Sequence, residues 1–120
     1  MATDAPQKTA PECFPPRISI DPEEMRGHAD EAARLLKAIS NSSRLMVLCS
    51  LAKGEQTVGQ LNERVPLSQS ALSQHLAVLR RDRLVNTRRS AQTIYYSLAE
   101  GPASKIIATL YEIFCGADAP

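Results

Sequence analysis

Aromatic residues are scarce, with three Tyr, two Phe and no Trp in 120 residues. A core made without them is built from Leu, Ile, Val and Ala, which suits packed helices better than a sheet sandwich. Cysteine is scarce too. Three thiols, an odd number, argue against a secreted disulfide scaffold and leave each one a candidate for inert packing or for redox chemistry. No apolar run approaches the ~20 residues of a membrane helix, and the opening MATDAPQKTAPEC lacks the basic-then-apolar layout of a signal peptide. A cytoplasmic protein with no membrane partner is expected. Also missing are a Gly-rich phosphate loop, a nucleophile with a base beside it and a recognisable carboxylate pair, so an enzyme is not expected. At 43% hydrophobic and 22% charged, the composition is that of an ordinary globular chain of about one domain.

The formal net charge is only +1, but its distribution is uneven. Residues 21–31 hold Asp21, Glu23, Glu24, Asp30 and Glu31 against Arg26. Residues 64–89 hold Arg64, Arg80, Arg81, Arg83, Arg88 and Arg89 against Asp82. Such an arginine zone attracts polyanions through phosphate contacts and counterion release. A solvated charged face is the alternative.

Five of eight prolines fall in the first 22 residues, so residues 1–20 read as a flexible, Pro-rich arm and residues 21–120 as the folded domain. Asp21, Pro22 and Glu24 form a capping signal for a helix to about Ser40, with Met25, Ala29, Ala32, Ala33, Leu36 and Ile39 at helical spacing. Asn41 or Ser42 caps a second helix that Gly54 stops. Thr57 opens a short third helix ended by Pro66, and Ser68 caps a fourth whose Leu72, Leu76 and Leu79 form its buried stripe. Helix, short turn, helix is a helix-turn-helix. LVNTRR and TIYYSL then alternate about a polar turn at Ser90 and Ala91, which predicts a β-hairpin. A last helix runs from Pro102 to Gly116 with Ile106, Ile107, Leu110, Ile113 and Phe114 on it. The predicted fold is mainly α with a β-hairpin wing, a winged helix-turn-helix.

Projection of the fourth helix at ~100° per residue sends Ser70, Gln74, Ala77 and Arg81 away from the leucine stripe. Gln bonds an adenine edge bidentately, Arg a guanine edge, and small residues admit close approach, so this face suits a major groove. An ordinary solvated helix face is the alternative, and a pure dimerisation or interaction module remains a reading from another class. Arg88 and Arg89 on the wing favour DNA, since they would lie along flanking phosphates or in the minor groove. Candidate DNA-binding residues are Ser68, Gln69, Ser70, Ser73, Gln74, His75, Arg80, Arg81, Arg88 and Arg89, His75 being either a packing or a phosphate-contact residue.

The run LSQSALSQHLAVLRRDRLVNTRRSAQTIYYSL resembles the recognition helix and wing of the ArsR/SmtB family of bacterial winged-helix repressors, and LLKAISNSSRLMVLCSL resembles that family's first two helices. The resemblance spans about residues 24–116. It implies a homodimer paired through its first and last helices, which fits the apolar stripe over 103–114, and double-stranded operator DNA as partner. Position 83 departs from the pattern. The family usually has Gly there, in a left-handed turn, and this chain has Arg83.

Metal-sensing relatives carry thiolates on the third helix or Asp/His/Glu sets on the last. TVGQLNERV has no Cys or His here, and PASKIIATLYEIFCG has one acid and no His, so neither a metal nor another cofactor is expected. Cys49 and Cys115 have surroundings similar to those in a persulfide-responsive subgroup of the family, whose matching cysteine pair is the sensor. The resemblance therefore implies a redox pair, and two inert thiols are the alternative. Neither lies at a helix N-terminus, where the dipole favours a thiolate, which favours a sulfur donor over a peroxide sensor. The subgroup also admits a virulence regulator that acts by displacing another DNA-binding protein. Cys13, in the arm, reads as incidental.

Overall fold

A computed structural model describes residues 19–116. The arm expected over 1–20 lies outside the described residues apart from its last two positions, and so does Cys13. The chain divides into two units, residues 1–30 and 31–120.

In the first unit, α1 covers Pro22–Arg26. The Asp21 carboxylate accepts the Glu23 N–H at 3.0 Å, Pro22 occupies the first turn, and Arg26 pairs with Glu23 at 2.9 Å. The single helix expected from Asp21 to Ser40 is in fact two. The first stops at Gly27 and α2 covers Ala29–Ile39. Glycine in a helix interior costs about 1 kcal/mol relative to alanine, enough to end a helix whose first segment buries no residue.

In the second unit, α3 (Ser42–Leu51) starts at Asn41, whose side chain accepts the Arg44 N–H. A two-residue strand β1 (Gln56–Thr57) leads into α4 (Val58–Arg64). There Thr57 and Gln60 exchange side-chain and backbone hydrogen bonds at 3.2 and 2.9 Å. Ser68 caps α5 (Gln69–Arg81) by accepting the Ala71 N–H at 3.1 Å. Between α4 and α5 the Asn62 amide donates to the Leu67 carbonyl at 2.7 Å and holds the turn. The hairpin is β2 (Val85–Ser90) against β3 (Thr93–Leu98), in register from Val85 opposite Leu98 to Ser90 opposite Thr93. β1 pairs with β3 on its other side, so the wing is a three-stranded antiparallel sheet rather than the two-stranded hairpin expected. Finally α6 (Pro102–Cys115) follows Gly101, whose φ of 143° is open only to glycine.

The core is aliphatic, as the scarcity of aromatics requires. Val47 and Leu48 of α3, Leu61 of α4 and Leu72, Leu76 and Leu79 of α5 are all but fully buried, joined by Ile39, Leu51, Val65, Val85 and Ile107. Ala103 and Ile107 are the buried face of α6. Leu36, Tyr111, Ile113 and Phe114 are exposed, Phe114 at 74%.

α5 ends as the resemblance anticipated. Arg83 has φ 63°, its N–H donates to the Arg80 carbonyl at 3.0 Å, and the Leu84 N–H donates to Leu79 at 2.8 Å, so the last turn is closed with Leu79 and Leu84 both buried. Asp82, unfavourable at a helix C-terminus, is offset by Arg34 at 3.0 Å. The wing tip repeats the device. Ala91 opens the two-residue loop with φ 58°. Both side chains carry the left-handed penalty, so Arg83→Gly and Ala91→Gly each stabilise by a few tenths to about 1 kcal/mol. Chemical denaturation midpoints measure this. A lowered midpoint for Arg83→Gly would show a side-chain contact worth more than the strain.

Candidate nucleic-acid interface and thiol pair

α5 presents the face that its periodicity predicts. With Leu72, Leu76 and Leu79 anchored inside, Gln69, Ser70, Ser73, Gln74, Ala77, Arg80 and Arg81 are exposed on one convex surface. Ser68 is exposed too, but its hydroxyl is engaged in capping. His75 is half-buried. Its Nδ1 lies 3.4 Å from Arg44, whose Nε also donates to the Ala38 carbonyl at 2.6 Å. A guanidinium can only donate, so Nδ1 accepts, and the neutral imidazole carries its proton on Nε2. His75 thus locks α5 to the α2–α3 junction and keeps one donor to spare.

The two wing arginines differ. Arg89 is exposed and takes part in none of the ion pairs among the described residues. Arg88 is held by Glu55, with Nε 2.9 Å from Oε2, and its guanidinium lies over the Tyr95 ring at 4.5 Å. The Arg88 hydrogen bond lowers the Glu55 carboxyl below its ordinary range. This contact ties β2 to the segment before β1, and no local pattern in the sequence foretells it.

Behind this face a buried polar clamp joins α3 to the sheet. The Gln56 amide donates to the Ser50 carbonyl at 2.5 Å and to the Ser50 hydroxyl at 3.1 Å. Both residues are buried, and Gln56 pairs across with Tyr96 of β3. Gln56→Ala leaves the Ser50 groups without this partner and costs about 1–3 kcal/mol, read from denaturant unfolding. An unchanged stability would mean that water replaces the amide.

Next to Ser50 stands Cys49, half-buried and unbridged, and Cys115 closes α6, exposed and also unbridged. Burial pushes the Cys49 thiol above its usual range, and the nearby Cys115 adds to the rise. The two sequence-predicted thiols stand on α3 and α6, helices that pack against each other. Beside Cys49 opens a cleft of about 550 Å³ bounded by α3, α4 and α6. Alkylation of Cys49 by iodoacetamide accelerates ~tenfold per pH unit through neutrality, because only the thiolate reacts. Cys115→Ser shifts that profile to lower pH by removing the like charge. A Cys49 rate already level at pH 7 would show a standing thiolate.

A recognition helix packed by its leucines, a turn held by Asn62 and an arginine-bearing sheet make this a winged helix-turn-helix DNA-binding protein. Residues 41–87 match the model of the bacterial regulatory protein arsR family. The chain is 49% identical over 96 residues to the transcriptional activator HlyU of Vibrio cholerae, covering 80% of this chain and 89% of that protein. A structure of reduced HlyU superposes with a TM-score of 0.73 over 78% of this chain and 98% of that one. The crystal structure of the transcriptional repressor BigR from Xylella fastidiosa gives a TM-score of 0.75 at 43% identity, over 80% of this chain and 98% of that one. The homodimeric winged helix-turn-helix domain of a possible ArsR-family regulator from Mycobacterium bovis gives 0.64 at 27% identity, over 78% and 86%. The chain belongs to the ArsR family and is a transcriptional regulator, not an enzyme.

Proposed function

We propose that this chain is a cytoplasmic, homodimeric repressor that binds operator DNA through α5 and the wing, and releases it when reactive sulfur bridges Cys49 to Cys115. The observation that carries this reading is the thiol pair itself. Its two cysteines stand on α3 and α6, which pack against each other, and Cys115 adds to the rise that burial imposes on the Cys49 thiol. The likeness to HlyU, one of whose structures is of a reduced form, supports a redox role. The exposed Leu36, Ile113 and Phe114 on the helices expected to pair support the dimer.

In this reading Gln74 and Arg81 read base edges, while Arg80 and Arg89 with the exposed serines contact phosphate. A hydropersulfide RSSH supplies the oxidant. The Cys49 thiolate attacks its outer sulfur, the S–S bond breaks, and RS⁻ leaves and is protonated to RSH. The Cys115 thiolate then attacks the inner sulfur of the Cys49 persulfide and expels HS⁻. Two thiols lose two electrons, and the transferred sulfur takes them up as sulfide. If both cysteines carry a persulfide, the same displacement leaves a trisulfide and HS⁻. A direct disulfide needs Cα atoms within ~7 Å, and the longer bridge relaxes that limit. Either tie joins the helix behind α5 to the dimer helix and alters how two recognition helices meet half-sites ~34–36 Å apart. A tenfold loss of affinity takes only ~1.4 kcal/mol.

In the test, operator binding is followed with and without polysulfide while mass spectrometry reads the link. The wild type gains a Cys49–Cys115 bridge and loses affinity, and Cys49→Ser and Cys115→Ser stay bound. Absence of the link, or release by both variants, overturns the sensing reading. In the reduced protein log K falls by ~0.9 per phosphate contacted as log salt rises, and Gln74→Ala relaxes sequence preference. A salt-independent affinity removes α5 and the wing as the DNA face. Likeness to a relative named as an activator favours a second reading, in which the bound dimer displaces another DNA-binding protein. Footprinting with and without that competitor separates the two.

A further inference from the structure

The cleft beside Cys49 has a chemical character of its own. Its walls are apolar, formed by Met46, Val65, Ile107 and Tyr111, and its charged lining residues are Lys53 and Arg64, two cations with no carboxylate among them. The polar groups Ser50 and Ser104 are already bonded, to Gln56 and to Gly101. Glu55 and Glu63 line an adjoining groove that shares Lys53 and Arg64, and Glu55 is paired with Arg88. Lys53 and Arg64 take part in none of the ion pairs among the described residues. A volume of about 550 Å³ suits a small organic molecule and far exceeds what sulfide or hydrogen peroxide fills.

We propose that this cleft is a docking site for a small organic hydropersulfide bearing a carboxylate. Its carbon framework lies against Val65, Ile107 and Tyr111, its carboxylate meets Lys53 and Arg64, and its outer sulfur is presented to Cys49. The proposal rests on the reading that Cys49 accepts sulfur, and it adds which donors are accepted and why. The transferred atom is the outer sulfur of RSSH. As Cys49 bonds to it the donor's S–S bond breaks, and the carboxylate-bearing thiol RSH is the leaving product that must vacate the cleft before Cys115 closes the bridge. A half-buried thiol that is largely protonated gains from a donor held in place, because proximity offsets a small thiolate fraction.

Two measurements on the full-length reduced protein test this. In the first, Cys49 persulfidation is timed by mass spectrometry with glutathione persulfide and with its diethyl ester, for wild type and the double variant Lys53→Gln, Arg64→Gln. The variant slows transfer from the charged donor about tenfold and leaves the ester rate unchanged, as loss of two exposed charge contacts predicts. Both substitutions are at exposed positions, and an unchanged melting temperature checks the fold. In the second, unreactive S-methylglutathione protects Cys49 of wild type from the neutral reagent iodoacetamide and does not protect the variant. Equal slowing with both donors, or protection in neither protein, overturns the docking site while the sulfur-sensing role stands. If neither donor modifies Cys49 of the wild type, the sensing reading itself falls and the donor site with it, whereas protection by S-methylglutathione alone would leave a plain anion cleft.

Discussion

The rest of the structure depends on the packing of three leucines. Leu72, Leu76 and Leu79 insert the inner face of α5 against Val47 and Leu48 of α3 and Leu61 of α4, where water is wholly excluded. Burying each is worth roughly 1.5–3 kcal/mol. Because the side chains recur at positions 72, 76 and 79, fixing them also fixes the helix's rotation about its axis. That rotation turns Gln74 and Arg81 outward. The outward face of α5 is therefore a by-product of core packing, and it moves only as α3 and α4 move.

Such dependence makes α3 the central element of the second unit. α3 touches α5, α6 and β3, so a force applied to α3 is felt by the recognition helix, by the last helix and by the wing. Cys49 sits on this central helix next to Ser50, and Ser50 is clamped to Gln56 at the edge of the sheet. On the far side Arg44 holds the His75 ring of α5. These polar contacts add to the leucine packing in tying α3 to the sheet and to α5. In the function proposed above, the choice of effector falls to the cleft beside Cys49, apart from the face proposed for DNA.

Electrostatics divide the arginines by task. Arg44, Arg34 and Arg88 are used inside the protein, on His75 and the Ala38 carbonyl, on Asp82 and on Glu55 respectively. Arg80 and Arg89 stand outward without such partners among the described residues, Arg81 reaches Asp82 only at 3.9 Å, and these three shape the field that a polyanion meets. A count of arginines between 64 and 89 overstates the charge left free for a polyanion, since Arg88 is paired with Glu55 across the fold.

Local rules carried much of this protein. Ser68 before a leucine stripe, Thr57 with Gln60, Asn41 and Pro102 placed four helix starts, and alternation placed the hairpin, because caps and periodicity act within a turn or two of chain. The left-handed Arg83 was legible only through the family resemblance. The break at Gly27 was missed because a helical apolar pattern continues across it. β1 was missed because two residues show no period, and they become a strand only when Tyr95 and Tyr96 offer a free edge. Glu55 with Arg88, 33 positions apart, Ser50 with Gln56, and the packing of α3 on α6 were beyond local reading. Sequence alone determined the helices, their inward faces and the chemistry on offer at each position. Tertiary structure decided which arginines are neutralised, which thiol is half-buried and what cleft opens beside it, because these follow from distances between residues that only packing brings together.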